Sequence, residues 1–228
     1  MVCMKDRISE PGVIEDQELA EYYSLMAKRY MTIPCKRVLS RIKAKGIKGG
    51  RILDVGTGPG IFPIFLAKAL PGIRFKGIDL SPNMVELARG NAIEEGMGDQ
   101  IDFEVGSAYS LPCEDHSIDL LLCINTLHHL DRPVLFFNEV ARSLKEGGAF
   151  VIVDFHRDSS PLVIGFFNLL WKAFFGKHPK ARRGFIESIQ SSYTLEECRG
   201  FLKQSRLKHW RLYTRTVEMW IESERANP

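Results

Sequence analysis

A short apolar run, Arg51-Ile52-Leu53-Asp54-Val55, breaks into glycines at every second position, Gly56, Gly58 and Gly60. It resumes as Ile61-Phe62-Pro63-Ile64-Phe65-Leu66-Ala67. The first piece reads as a strand buried on both faces, bounded by turn residues. The last reads as an apolar helix with a proline tolerated in its first turn. Between them the glycines can take positive φ and leave bare backbone for a ligand to lie against. The helix behind presents unpaired N–H groups and the positive end of its dipole. Strand, glycine loop and helix in that order form a nucleotide-binding turn and point to an α/β architecture.

The spacing narrows the ligand. A dinucleotide fold uses G-x-G-x-x-G, and the position of its third glycine holds Ile61 here. A nicotinamide oxidoreductase is therefore disfavoured. Read from these residues alone, the turn remains either a ligand loop or a plain αβ connection, and residues further along the chain decide between them. The segment Arg74-Phe75-Lys76-Gly77-Ile78-Asp79-Leu80 is a second strand ending in an acid. Ser81 is placed to cap the next helix, with Pro82 at its first position. A carboxylate at that strand end can accept both hydroxyls of a ribose.

With the acidic Asp54 before the loop, Asp54-Val55-Gly56-Thr57-Gly58-Pro59-Gly60 resembles the first motif of the class I S-adenosylmethionine (SAM) methyltransferases, acidic-x-G-x-G-x-G. The resemblance continues in Gly106-Ser107-Ala108 followed by Leu111-Pro112, in Asn125-Thr126-Leu127-His128-His129-Leu130, and in Leu144-Lys145-Glu146-Gly147-Gly148 before a fifth strand. It looks like the type 11 group of small-molecule enzymes, and the Asn-Pro-Pro-aromatic signature of nucleobase methylation is absent. The resemblance implies that Asp54, Gly56, Thr57, Gly58 and Gly60 hold the methionine portion of SAM and Asp79 the ribose. Leu80 and Met84 would flank adenine, Ser107 and Ala108 would meet it, and Asn125 would lie near the methionine end. Ser107 stands where the family frequently has an aspartate, a weaker partner for the adenine amino group.

Composition adds bounds. The 228 residues suit one domain with a sizeable core, and 45% hydrophobic with 26% charged residues is ordinary for a soluble globular protein. A net charge of +3 does not by itself argue for nucleic acid. The five cysteines are scattered with no C-x-x-C pair, so neither a disulfide framework nor a metal site is expected, and a cytoplasmic setting fits. The start of the chain lacks the pattern of a secretion signal.

Residues 1–14 read as a loose arm, followed by N-terminal helices over about 14–46. There Tyr22, Tyr23 and Tyr30 are candidates to reach the site, Tyr22 being taken as the acceptor-side choice. Residues 101–107 and 117–125 read as the third and fourth strands. Either His128 or His129 could act as a general base, and His129 is preferred. Asp154 and His156, two apart where the fifth strand ends, could form an acid–imidazole pair on one face. The segment 161–175 is apolar except for the narrow stripe Gly165, Asn168 and Lys172, so it should be buried nearly all round. It is too short to span a bilayer, which takes about 20 apolar residues. A cap over a hydrophobic acceptor pocket at about 157–192 is preferred, with a dimer interface, an interfacial membrane contact and plain core as alternatives. The cations Lys172, Lys177, Lys180, Arg182 and Arg183 would serve an anionic group. Thr194-Leu195-Glu196-Glu197 opens a capped helix, and residues 208–214 and 217–224 form a terminal hairpin.

The expectation is a single α/β domain over 1–228 with the Rossmann-like class I methyltransferase fold. It has a mostly parallel seven-stranded sheet in the order 3-2-1-4-5-7-6, helices on both faces and a terminal hairpin. The resemblance implies methyl transfer from SAM to a small, hydrophobic or aromatic acceptor. The alternative is a non-catalytic SAM-binding partner protein that uses the apolar 161–175 surface.

Overall fold

The apolar runs become strands in the expected places, and their connections set the topology. The computed structural model describes residues 6–10, 16–47, 49–175 and 181–224. β1 (Arg51–Val55), β2 (Arg74–Asp79), β3 (Ile101–Val105), β4 (Ile118–Ile124) and β5 (Leu144–Phe155) pair in parallel. The terminal hairpin of β6 (Trp210–Arg215) and β7 (Glu218–Ser223) joins antiparallel, with β7 against β5. The seven strands lie in the order 3-2-1-4-5-7-6.

Alternation along the strands divides the core in two. Leu53 and Val55, Leu121 and Cys123, and Phe150 and Ile152 face one side. There they meet Phe136, Phe137 and Val140 of α5 (Pro133–Ser143) and Cys198 and Leu202 of α8 (Leu195–Gln204). Ile52, Leu120, Leu122, Val151 and Trp220 face the other. Their partners there are α2 (Thr32–Ala44), α3 (Ile61–Ala69) and α4 (Pro82–Glu94), while α1 (Gln17–Tyr30) packs against those helices. Each fully buried large side chain contributes about 1.5–3 kcal/mol of transfer free energy. The central strands are apolar on both faces because both faces are covered.

The caps read from sequence form. Ser81 accepts the Met84 N–H with Pro82 at the first helical turn, and Thr194 and Glu197 make a reciprocal capping box. Two boundaries differ. β5 starts at Leu144 rather than Ala149, with a register shift between Ile118 and Leu120, and a Cβ at Gly148 would crowd the Lys145 and Ile118 carbonyls there. The loose arm is tied down over its described part: Ile8 donates to the Gln190 carbonyl, and Arg7 to the Ser191 and His128 carbonyls and the Asp131 carboxylate.

The cap region holds α6 (Pro161–Phe175), a 3-10 turn (Ala181–Arg183) and α7 (Gly184–Ser191). The expectation that 161–175 is buried all round fails. Ile164, Val163, Phe167 and Trp171 pack inward, while Leu162, Phe166 and Leu169 are 86%, 59% and 67% exposed. One flank of the helix packs against Phe155 at the end of β5, Val217 and the α7 residues Phe185 and Ile189, and the other flank has no such cover among the described residues. Lys177 and Lys180 of the expected cation group lie outside the described residues, and Lys172 and Arg183 are exposed. Among the described residues no helix is long and apolar enough to cross a membrane.

Candidate active site

The glycine loop between β1 and α3 is held by its neighbours. Gly56 and Thr57 donate to the Ile78 carbonyl of β2, and Gly56, Gly58 and Gly60 all have positive φ. A Cβ at Gly56 would clash with the Thr126 side chain, whereas one at Gly58 would meet nothing within 4 Å. Gly56 is therefore glycine for packing, and Gly58 presents open backbone.

Asp79, at the end of β2, accepts from the Gly58 N–H at 2.8 Å and the Ser81 N–H at 2.9 Å, one on each carboxylate oxygen. Burial pushes its carboxyl up, and those N–H groups pull it back. Leu80, Met84, Ser107, Ala108 and Tyr109 stand with it around a cavity of about 250 Å3. Tyr109 is an addition. Its ring lies 4.5 Å beneath the Arg132 guanidinium and its hydroxyl accepts the Arg132 N–H, so an aromatic face is pinned at this cavity. No periodic signal marks it in the sequence.

A second cavity, of about 290 Å3, shares Gly56, Gly58, Met84, Asn125 and His129 with the first. Its floor is Asp54, buried, with its carboxylate accepting the Thr57 hydroxyl at 2.8 Å. Burial, with the nearby Asp79 charge adding and the Thr57 hydrogen bond opposing, pushes the Asp54 carboxyl up to about 7. Asn125 follows the end of β4 with φ 53, a left-handed conformation that asparagine tolerates better than most residues. The outer walls are Phe62, Phe155 and Trp171, with Tyr23, Glu10, His128 and Ser188.

The expected acid–imidazole pair is replaced by another. Asp154 takes His128 as its partner, at 2.6 Å from Nδ1 and 2.9 Å from the His128 N–H. β5 ends at Phe155, so His156 turns away to the Thr216 carbonyl and the Ser159 hydroxyl, and burial lowers its pKa. His129 lines both cavities and its Nδ1 is buried with no hydrogen-bond partner. Burial, then the neighbouring His128, depress it to about 3, so it is a neutral lone-pair donor rather than the near-neutral base expected. Burial also acts to lower His128, but the Asp154 charge and hydrogen bond outweigh it and its pKa is raised. Tyr22 packs with Met26 and Ala181 instead of lining either cavity. Its neighbour Tyr23 does line one, its hydroxyl raised to about 12 by burial and by Glu10. Glu10, expected in a loose arm, closes the chamber 3.7 Å from His128 Nε2 and accepts from Ser188 and Ser191. Its carboxyl is raised by burial.

Residues 53–152 match a family model described as a methyltransferase domain. Norajmaline N-methyltransferase of Rauvolfia serpentina is 37% identical over 115 residues, covering 50% of this chain and 39% of that protein. Demethylmenaquinone methyltransferase of Deinococcus radiodurans is 28% identical over 209 residues, 84% of this chain and 81% of that one. The chain spans less than half the length of the first curated relatives it matches. Among solved structures, a proposed SAM-dependent methyltransferase of Methanococcus maripaludis superposes with TM-score 0.74 at 21% identity over 97% of this chain and 98% of that one. Human N-acetylserotonin methyltransferase, solved with SAM, superposes with TM-score 0.66 at 15% identity, covering 93% and 57%. At those identities the two structures speak for the fold.

Proposed function

We propose that the chain is a class I SAM-dependent methyltransferase, a reading supported by the methyltransferase-domain match over residues 53–152 and by the relatives, and that it methylates a small hydrophobic or aromatic acceptor through one ionisable heteroatom. The observation that carries this reading is the pair of joined cavities, meeting at Met84, Asn125 and His129. The first has the groups for an adenosine: two carboxylate oxygens on Asp79, bare backbone at Gly58, and Leu80, Ala108 and Tyr109 as apolar walls. Asp54 and Asn125 stand where a methionine portion would extend. The residues present fit the cofactor, since the Gly58 backbone is open to the cavity and Asp79 is oriented by two N–H donors.

When bound, SAM supplies an electrophilic methyl on a sulfonium. The protein's own task is then positional. Phe62, Phe155, Tyr23 and Trp171 enclose an acceptor and exclude water, while Glu10, His128 and His129 present the polar wall against which its nucleophilic atom rests. The helices α6 and α7 serve as the cap of a single domain, and Trp171, Gly184 and Ser188 complete the chamber. The four described cysteines are unpaired, which supports a reducing, cytoplasmic setting.

A second reading, a SAM-binding partner protein without turnover, is favoured by the exposed Leu162, Phe166 and Leu169. The two separate in one experiment. Ligand-stripped protein is titrated calorimetrically with S-adenosylhomocysteine, with Asp79→Ala and with NAD as control, and is then given labelled SAM and a panel of phenols, thiols and amines. S-adenosylhomocysteine binding lost in Asp79→Ala, with label transferred to one acceptor class, is expected. Binding without transfer to any acceptor favours the partner protein, and binding of NAD alone sinks both.

A further inference from the structure

The three polar groups that close the acceptor chamber come from distant parts of the sequence and share one geometry. One carboxylate oxygen of Glu10 and one ring nitrogen each of His128 and His129 lie within 4.8 Å of one another. The Glu10 Oε2 to His128 Nε2 distance is 3.7 Å, long for a hydrogen bond. Ligand atoms about 2.1 Å from a tetrahedral ion stand roughly 3.4 Å apart, so side-chain shifts of about an ångström bring the three onto one centre. Two imidazoles and a carboxylate are a donor set of catalytic zinc sites, which keep a further position open. Each histidine is prepared for that role. His128 Nδ1 is engaged by Asp154 at 2.6 Å, which fixes the ring and directs Nε2 toward Glu10, the arrangement seen behind metal-bound histidines. His129 Nδ1 is buried and lacks a hydrogen-bond partner. Glu10 is held by two serine hydroxyls.

We propose that Glu10, His128 and His129 form a divalent transition-metal site, with Zn2+ the best match, whose open position faces the acceptor chamber. Asp154 is its positioning residue. The ion would take the acceptor through an acidic O–H or S–H group, lowering that group's pKa so that its proton leaves to solvent on binding. The purpose of the ion rests on the methyl-transfer reading; its binding does not. The residues that would ligate it lie on the second cavity, and only His129 also borders the adenosine side.

The test uses the full chain after chelator treatment, titrated with Zn2+ by calorimetry, with S-adenosylhomocysteine titrated into the same samples. One Zn2+ per chain is expected. Asp154→Asn should weaken it by about 10- to 100-fold, and Glu10→Gln and His129→Gln by at least as much. The Co2+ derivative should show d–d bands with no thiolate charge transfer. S-adenosylhomocysteine binding by Glu10→Gln establishes that this variant is folded. No Zn2+ uptake by the parent chain overturns the proposal, as do equal affinities in Glu10→Gln and His129→Gln, or a cysteine signature in the Co2+ spectrum. Zn2+ uptake without S-adenosylhomocysteine binding would leave the metal site standing and remove the methyl-transfer reading.

Discussion

Asp154 holds His128 by two hydrogen bonds at once, Oδ1 to the ring Nδ1 and Oδ2 to the backbone N–H. Both residues are buried, and Oδ1 also accepts the Phe155 N–H at 2.7 Å, so the carboxylate is fixed from several sides. In the neutral ring, which forms above the raised pKa of His128, the pair selects one tautomer, with the proton on Nδ1 and a lone pair on Nε2 directed into the chamber. Asp154→Asn should therefore mix the tautomers, because an amide can present either a donor or an acceptor. Nitrogen-15 shifts of the His128 ring report this directly: a single Nδ1–H form in the parent and a mixture in the variant. Unfolding by urea should show a loss of about 1–3 kcal/mol. An unchanged tautomer would mean that the carboxylate does not orient the ring.

Two glycines of the same loop should fail in different ways. Both Gly56 and Gly58 have positive φ, so alanine at either adds backbone strain of about 1–2 kcal/mol. At Gly56 the new Cβ also drives into the Thr126 side chain, whereas at Gly58 it enters open space facing the cofactor cavity. Gly56→Ala is expected to lower the melting point sharply. Gly58→Ala should melt only slightly below the parent yet bind S-adenosylhomocysteine at least about tenfold more weakly, a loss of about 1.4 kcal/mol. Melting curves and titration calorimetry on the two variants check this. A Gly58→Ala protein with parental affinity would show that the ligand does not approach this backbone.

How much of the fold and site was legible in the sequence depends on how local each determinant is. The glycine loop, the strand end at Asp79, the Ser81 cap and the terminal hairpin rest on spacings within a few residues, the strand order is implied by the family resemblance, and all of these emerged as read. The cofactor-side set Asp54, Leu80, Met84, Ser107, Ala108 and Asn125 gathered for the same reason, since each sits at the carboxyl end of a strand, just past it, or, for Met84, in the first turn of the helix that follows. The acceptor side depends on contacts across the fold. Glu10 looks unpatterned in sequence because its position is set by distant residues: the Ser188 and Ser191 hydroxyls hold its carboxylate, and Arg7 ties the same strap to Asp131 and Ser191. The choice of His128 over His156 by Asp154 turns on where β5 stops, one residue before His156. Tyr22 and Tyr23 are adjacent on one helix, and only packing decides which of them turns to the chamber. The outer flank of α6 misled the apolar count, since periodicity alone cannot say whether protein covers a helix.

Arg7 acts as the latch of the N-terminal strap. Its guanidinium bonds the Ser191 and His128 carbonyls and the Asp131 carboxylate, and lies 4.5 Å over the Tyr193 ring. Arg7→Ala removes these together and releases Glu10 from the chamber mouth. The expected kinetic signature is a rise in KM for the acceptor, about tenfold or more. The affinity for S-adenosylhomocysteine should change less, because, of the adenosine-side residues, His129 neighbours the strap, while Asp79, Leu80, Ser107, Ala108 and Tyr109 line the other cavity. Steady-state kinetics on the acceptor found by screening, with calorimetry on the cofactor product, separate the two effects. An equal loss on both sides would mean that the strap supports the whole fold rather than the acceptor chamber.

Asp54 should make both stability and cofactor affinity depend on pH. Its carboxyl, buried beneath the loop, is pushed up to about 7, chiefly by burial and further by the Asp79 charge. In the unfolded chain it titrates near about 3.9. Between those values the free folded protein keeps a proton that the unfolded chain has lost. This group's contribution to stability is therefore complete below the unfolded value and is lost as pH rises to about 7, at up to about 1.4 kcal/mol per unit. A ligand with an ammonium group beside Asp54 favours the ionised form, so binding below neutrality must expel the proton. The affinity for S-adenosylhomocysteine should then climb by up to about tenfold per unit as pH rises toward about 7 and level off above it. Calorimetry at about pH 6 in two buffers of different ionisation enthalpy should register proton release, and Asp54→Asn should show neither the climb nor the release. If the variant keeps the parent's slope, the proton belongs to another group and the methionine end does not rest on Asp54.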